Sequence, residues 1–220
     1  MDTHNNLIGK IAAISTLFIA SLLIARRGEA SIVRDSERLL YPPMLPDSSD
    51  FLTKVVSGLG DIVGTMGMRQ VNRALVDDPQ IVAFLAVIRR GEGTSDPKGY
   101  QRLFGGGHFA SFDAHPGVLV EMSGYRSTAA GAYQFLASTW EETAKIMGLS
   151  DFSPRSQDIA ALGRLAYRGA VDDILSGYFE SAVKKASKEW ASLPFSPYGQ
   201  PVIPYAVAVA TFVNHGGILL

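Results

Sequence analysis

The chain contains no cysteine. Disulfide staples, thiolate zinc sites and thiol nucleophiles are therefore excluded, and neither redox compartment is favoured. An excess of charge of one sign is lacking too. Twenty Lys and Arg stand against 21 Asp and Glu, a net charge of −1. Bulk electrostatics thus imply no polyanionic partner, and no local basic stripe of the kind nucleic acid requires is present. The chain carries no phosphate-binding P-loop, no dinucleotide fingerprint and no serine nucleophile elbow. Internal repeats and low-complexity tracts are absent. What remains is a chain of 220 residues, enough for one ordinary domain plus an appendage.

The appendage is N-terminal. Residues 11–25 run without a charge between Lys10 and the pair Arg26-Arg27, and the stretch reaches back to Leu7 if Lys10 snorkels to an interface. A cleaved signal peptide carries its positive charge before the apolar run. Here most of that charge follows it, so residues 1–27 read as an uncleaved anchor with membrane contact through residues 7–25; a buried core helix is the alternative. The positive-inside tendency would leave the body on the cytoplasmic side. Residues 28–50, with Tyr41-Pro42-Pro43, Pro46, Asp47 and Asp50, read as a linker, and residues 51–220 as the domain.

Within residues 51–76 an apolar helical pattern is broken by Gly58, Gly60, Gly64 and Gly67. Asp78 and Pro79 then form an N-cap and first-turn pair, and Ile81, Phe84, Leu85 and Ile88 fall on one helical face. The stretch 91–131 is rich in glycine and suits loops or a short hairpin. Further helices are expected over 138–147, opened by a capping box of Ser138 and Glu141 and stopped by Gly148; from Ser153-Pro154 to about Gly169; through Ile174, Tyr178, Ala182 and Ala186 toward Trp190; and over 205–213. The expected class is mainly α, with α+β open through the hairpin.

Glu92 is the residue with most chemical promise. It lies four residues past Ile88 and continues the apolar face at the negative end of the helix dipole. Partial desolvation and the dipole both disfavour its charged form, which is what a general acid near neutral pH needs. Spacing alone leaves open a solvated residue in a glycine-rich turn. The small residues Thr128 to Ala132 could let the backbone approach a ligand or a neighbouring helix closely, with Tyr133 and Gln134 presenting an aromatic face and an amide. His108, Asp113 and His115 could hold a zinc ion with an open position, although their spacing matches no helical metal motif and His115-Pro116-Gly117 is more simply a turn.

Several segments in register resemble the lambda-lysozyme family of lytic transglycosylases. They are Glu92-Gly93-Thr94, the stretch from Gly99-Tyr100 to His115-Pro116, Ser127-Thr128 with Ala130-Gly131 and Tyr133-Gln134, Phe152-Ser153-Pro154-Arg155-Ser156-Gln157-Asp158, Trp190-Ala191-Ser192-Leu193-Pro194, and Tyr198-Gly199-Gln200. The resemblance covers about residues 80–220 and implies a lysozyme-like domain with Glu92 catalytic. It also implies a sugar cleft at Tyr133-Gln134, where Ala132 replaces a larger residue. Thr94, Tyr100 and Tyr198 join Tyr133 and Gln134 as the expected substrate-binding residues. No metal or other cofactor is implied.

The layout of an apolar N-terminal segment, a linker and then this domain resembles the lytic enzymes of enveloped double-stranded-RNA phages, the phi6-type cystoviruses. That resemblance implies a virion enzyme between envelope and nucleocapsid, with envelope or nucleocapsid proteins as partners. It would act on the cell wall in the host periplasm, at infection and again at lysis. The implied chemistry is cleavage of peptidoglycan between N-acetylmuramic acid and N-acetylglucosamine by a single carboxylate. A hydrolase would need a second one, for which Asp96, Asp113 and Glu121 are the nearby candidates. The alternative is a murein endopeptidase acting on the peptide cross-bridge, and a third is a virion protein that binds peptidoglycan without cleaving it.

Overall fold

The computed structural model describes residues 48–122 and 124–220, so the uncharged run 11–25 and most of the expected linker lie outside the described residues. The described part is mainly α-helical, as the sequence led us to expect: seven α-helices and one two-stranded hairpin. Among the described residues, no helix is long and apolar enough to cross a membrane.

The first helix, α1 (Ser48–Gln70), begins three residues inside the segment read as linker and runs unbroken through its glycines. The reason is close packing on α4 (Pro154–Tyr167). A Cβ at Gly64 would stand 2.5 Å from the Tyr167 ring, and one at Gly67 would stand 2.7 Å from the Ala166 carbonyl oxygen. The glycines thus admit the neighbouring helix, which offsets the entropy they cost. A 3-10 turn (Arg73–Asp77) leads to α2 (Pro79–Gly91).

In α2 the expected start is present: the Asp78 carboxylate accepts from the Gln80 N–H at 2.8 Å. Ile81, Phe84, Leu85, Val87 and Ile88 are buried. The Phe84 ring meets Phe179 and Phe212 edge-on at 5.8 and 6.3 Å between centroids. Those partners belong to α6 (Phe179–Ala186) and α7 (Tyr205–Asn214). Full burial of such side chains contributes about 1.5–3 kcal/mol each. This face therefore fixes α2, and with it the position of the residue that follows.

The glycine-rich stretch yields the expected hairpin, β1 (Val120–Met122) antiparallel to β2 (Tyr125–Ser127), with Glu121 opposite Arg126. Two helical expectations differ from the structure. Helix α3 (Ala137–Met147) starts at Leu136, and no side chain caps it; Ser138 lies inside the helix, and the Ala137 N–H instead finds Thr128 Oγ1 at 3.1 Å. An acceptor supplied from outside the helix, the Thr128 hydroxyl, thus replaces the local capping box. The single helix expected toward Trp190 is two, α5 (Val171–Leu175) and α6, separated where Gly177 takes φ +79°.

Candidate active site

The last residue of the α2 run, Glu92, is the C-cap, and its N–H donates to the Ile88 carbonyl at 2.9 Å. Its carboxyl is half-buried in an open cleft of about 360 Å³ whose walls include Arg102, Phe104, Gly106 and Gln134. Burial raises its proton affinity above the ordinary carboxylate range, and a hydrogen bond from Ser192 partly opposes that rise. Ser192 Oγ donates to Glu92 Oε1 at 2.6 Å.

Sequence reasoning had not singled out Ser192, which stands 100 positions away. It is carried on the segment between α6 and α7, pinned by the buried Trp190 and Leu193 and by the Ile203 N–H donating to the Ser192 carbonyl at 2.9 Å. The one local signal is Gly91. A Cβ there would lie 2.6 Å from Ser192 Oγ, so only glycine lets the serine reach the neighbouring carboxylate. One Glu92 oxygen is thereby fixed and the other left for a reacting group.

Of the other expected site residues, the structure brings Gln134 into the cleft with Glu92. Its backbone takes the uncommon φ of +48°, and its amide nitrogen donates to the Gly131 carbonyl at 2.9 Å. Such strain in a non-glycine residue persists only where surroundings over-determine it. Here they do: Gly131 N–H donates to the Arg102 carbonyl at 2.8 Å, and Ala132 N–H donates to Gln157 Oε1 at 2.8 Å.

Thr94 and Tyr133 are placed differently from the sugar-contacting role expected of them. Thr94 is fully buried, and its hydroxyl donates to the Ala132 carbonyl at 2.6 Å. It ties the loop after Glu92 to the segment before Gln134. Tyr133 is 1% exposed, and its hydroxyl donates to Asp158 Oδ1 at 2.6 Å. Both side chains spend their polar atoms on the protein and present none to the cleft.

Tyr100 is half-buried and donates to the same Asp158 oxygen at 2.8 Å, with the Arg89 guanidinium 4.6 Å above its ring. Burial and the adjacent Asp158 charge push the Tyr100 hydroxyl up to about 12, and burial likewise raises the Asp158 carboxyl. Both phenols therefore remain protonated donors. Tyr198 is exposed, is not among the described cleft-lining residues, and donates to the Lys188 carbonyl at 2.9 Å.

The histidine constellation is not assembled. His115 is half-buried among Trp140 and Phe152, its Nδ1 accepts from the Gly117 N–H at 3.1 Å, and its Nε2 lies 2.9 Å from the Phe135 carbonyl. Those two bonds commit both ring nitrogens. His108 and Asp113 are exposed. Among the described residues, no group of three or more His, Asp or Glu side chains is placed to hold a metal ion.

The candidate second carboxylates do not line the cleft either. Asp96 pairs with Arg102 at 2.5 Å, Glu121 pairs with Arg126 at 2.7 Å on the hairpin, and Asp113 faces solvent. Glu92 is the one carboxylate among the described residues that line the cleft.

Comparison with known proteins agrees with this architecture. The Endolysin family model matches residues 82–219. The endolysin of Escherichia phage lambda is 38% identical over 142 residues, which is 61% of this chain and 90% of that protein. The endolysin of Escherichia phage P2 is 34% identical over 154 residues, 63% of this chain and 93% of that protein. The solved structure of bacteriophage lambda lysozyme complexed with a chitohexasaccharide superposes with a TM-score of 0.62 at 35% identity, covering 69% of this chain and 99% of that one. A second structure of lysozyme from bacteriophage lambda gives 0.60 at 34% identity, with the same coverage. The chain belongs to the endolysin family and has the lambda-lysozyme fold.

Proposed function

We propose that this endolysin degrades peptidoglycan as a lytic transglycosylase, with Glu92 as both acid and base. The observation that carries this reading is the single half-buried carboxyl in the cleft, raised in proton affinity by burial and held by Ser192 at one oxygen. The glycan-bound lambda lysozyme, similar along nearly its whole length, supports a sugar strand as the ligand.

The steps balance on this one group. Protonated Glu92 gives its proton to the oxygen joining N-acetylmuramic acid to N-acetylglucosamine as the C1–O bond breaks. The resulting carboxylate takes the proton from the muramoyl 6-hydroxyl, whose oxygen closes onto C1 as a 1,6-anhydro ring. No water is consumed. Gln134 lies in the same cleft and is the side chain best placed to hold the strand. Hydrolysis by two carboxylates would need a partner across the scissile bond, at about 5–9.5 Å from the first depending on mechanism.

Glu92→Gln tests the reading. It keeps the shape and the Ser192 contact but removes the transferable proton, so the rate of wall lysis is expected to fall by about 10²- to 10⁴-fold. A folded variant lysing at close to the wild-type rate would refute it. The uncharged run 11–25 further supports placing the enzyme in the virion near the envelope, acting at infection as well as at lysis. Detergent stripping of purified virions should then separate the protein from the bare particle; a protein absent from virions would exclude that placement.

A further inference from the structure

Arg102 is the one cation among the described residues that line the cleft. Its side chain is 24% exposed, and few of its five N–H donors are used by the protein. Nη2 meets Asp96 Oδ2 at 2.5 Å, and Nη1 donates to the Gly106 carbonyl at 3.3 Å. Nε is buried without any hydrogen-bond partner, which is rare enough in native proteins to require an explanation. The cleft wall has room at Gly106, where a built Cβ meets no atom within 4 Å.

A neutral sugar hydroxyl does not require a guanidinium, whereas a carboxylate matches its planar fork and its charge. In the substrate proposed above, the sugars themselves are uncharged, and the carboxylates sit on the peptide stem attached to each muramic acid. We infer that Arg102 is a specificity-determining residue that receives a carboxylate of the peptide stem. The enzyme would thereby favour strands that carry stems over bare glycan.

The contacts of the guanidinium agree with this role. Asp96 holds the guanidinium against the wall in the free enzyme, and one N–H on each of Nη1 and Nη2 is left unused by the protein.

This inference rests on the glycan being the substrate, and the test keeps the two apart. Soluble uncross-linked peptidoglycan strands would be compared with the same strands stripped of stems by N-acetylmuramoyl-L-alanine amidase, the lactyl carboxylate freed by that hydrolysis being capped as its methylamide. The readout is KM, measured from newly formed saccharide ends. For the wild-type protein at low salt, KM is expected to be lower for stem-bearing strands, with the gap narrowing as salt rises. Arg102→Gln should raise the ratio of the stem-bearing to the stripped KM roughly tenfold, the loss of a charge-assisted contact. Arg102→Lys, which keeps the charge without the fork, should fall between.

Equal wild-type KM values for the two strand types at low salt would overturn the inference without recourse to any variant. So would an unchanged ratio in a folded Arg102→Gln protein. Release of no saccharide ends from either strand would instead show that the glycan reading itself has failed, and the inference with it.

Discussion

Thr94→Val separates the structural role found for Thr94 from the sugar contact that its sequence position suggested. Valine matches threonine in shape, so the substitution opens no cavity; it removes only the hydroxyl that reaches the Ala132 carbonyl at 2.6 Å from a site with no solvent exposure. A buried carbonyl left unpaired costs about 1–3 kcal/mol. For a domain of this size each kcal/mol lowers Tm by roughly 2–4 °C, so a fall of about 2–12 °C is expected. The Arg89 carbonyl, 3.2 Å from the same hydroxyl, loses its minor share and keeps the Thr94 N–H at 2.9 Å. The assay pairs a thermal melt with steady-state lysis below the transition. A tie between the Glu92 loop and the Gln134 segment predicts a lower Tm together with a reduced rate. An unchanged Tm with a raised KM would refute the reasoning and restore Thr94 as a substrate contact.

Three further outcomes follow from the same geometry. Ser192→Ala removes the donor that favours the charged form of Glu92, so the descending alkaline limb of the pH–rate profile should move to higher pH while kcat falls, and Ser192→Thr should restore both; a rate lowered equally at all pH values, with the limb fixed, would reduce Ser192 to a packing role. Glu92→Gln should stabilise the protein at neutral pH, because a carboxyl whose folded proton affinity is raised contributes its full stability only below its ordinary value of 4.5 and loses it as pH rises through the folded value; melts at several pH values check this, and a variant no more stable than wild type at neutral pH would contradict the burial argument. Glu189→Gln weakens the bidentate pair with the buried Arg164, whose bonds are 2.6 and 3.0 Å, and should cost about 3 kcal/mol or roughly 10 °C in Tm, with no change in product chemistry.

Local chemistry made much of the scaffold legible. Asp78-Pro79 and Ser153-Pro154 open helices as read, because cap, proline and apolar face agree within a few residues of one another. Glu92 was legible for the same reason: it extends the face of Ile81, Phe84, Leu85 and Ile88, which pins it against the body. Where a distant segment supplies the decisive partner, local signals misled. The Ser138 and Glu141 box gave way to Thr128, and the glycines of α1 marked contact with Tyr167 and Ala166 rather than a broken helix. Apolar periodicity continues past Leu175, yet the chain turns at Gly177.

The cleft shows the same division. Ser192 and Arg102 reach it through tertiary contacts that no spacing encodes. Tyr133 illustrates the converse. An aromatic residue beside a glutamine in a small-residue segment suits a sugar platform, but its hydroxyl is buried on Asp158 and its ring belongs to the hydrophobic core.

The central claim is that one carboxyl, without a second, performs both proton transfers. Mass spectrometry of the muropeptides released from purified peptidoglycan by the wild-type enzyme tests it most directly. The account predicts products ending in 1,6-anhydro-muramic acid, lighter by one water than hydrolysis products, with peptide cross-links intact and with yield indifferent to chelators. Reducing muramic acid ends would show that water, not the 6-hydroxyl, attacks the sugar. Newly freed amino groups on an uncut glycan would contradict the account outright.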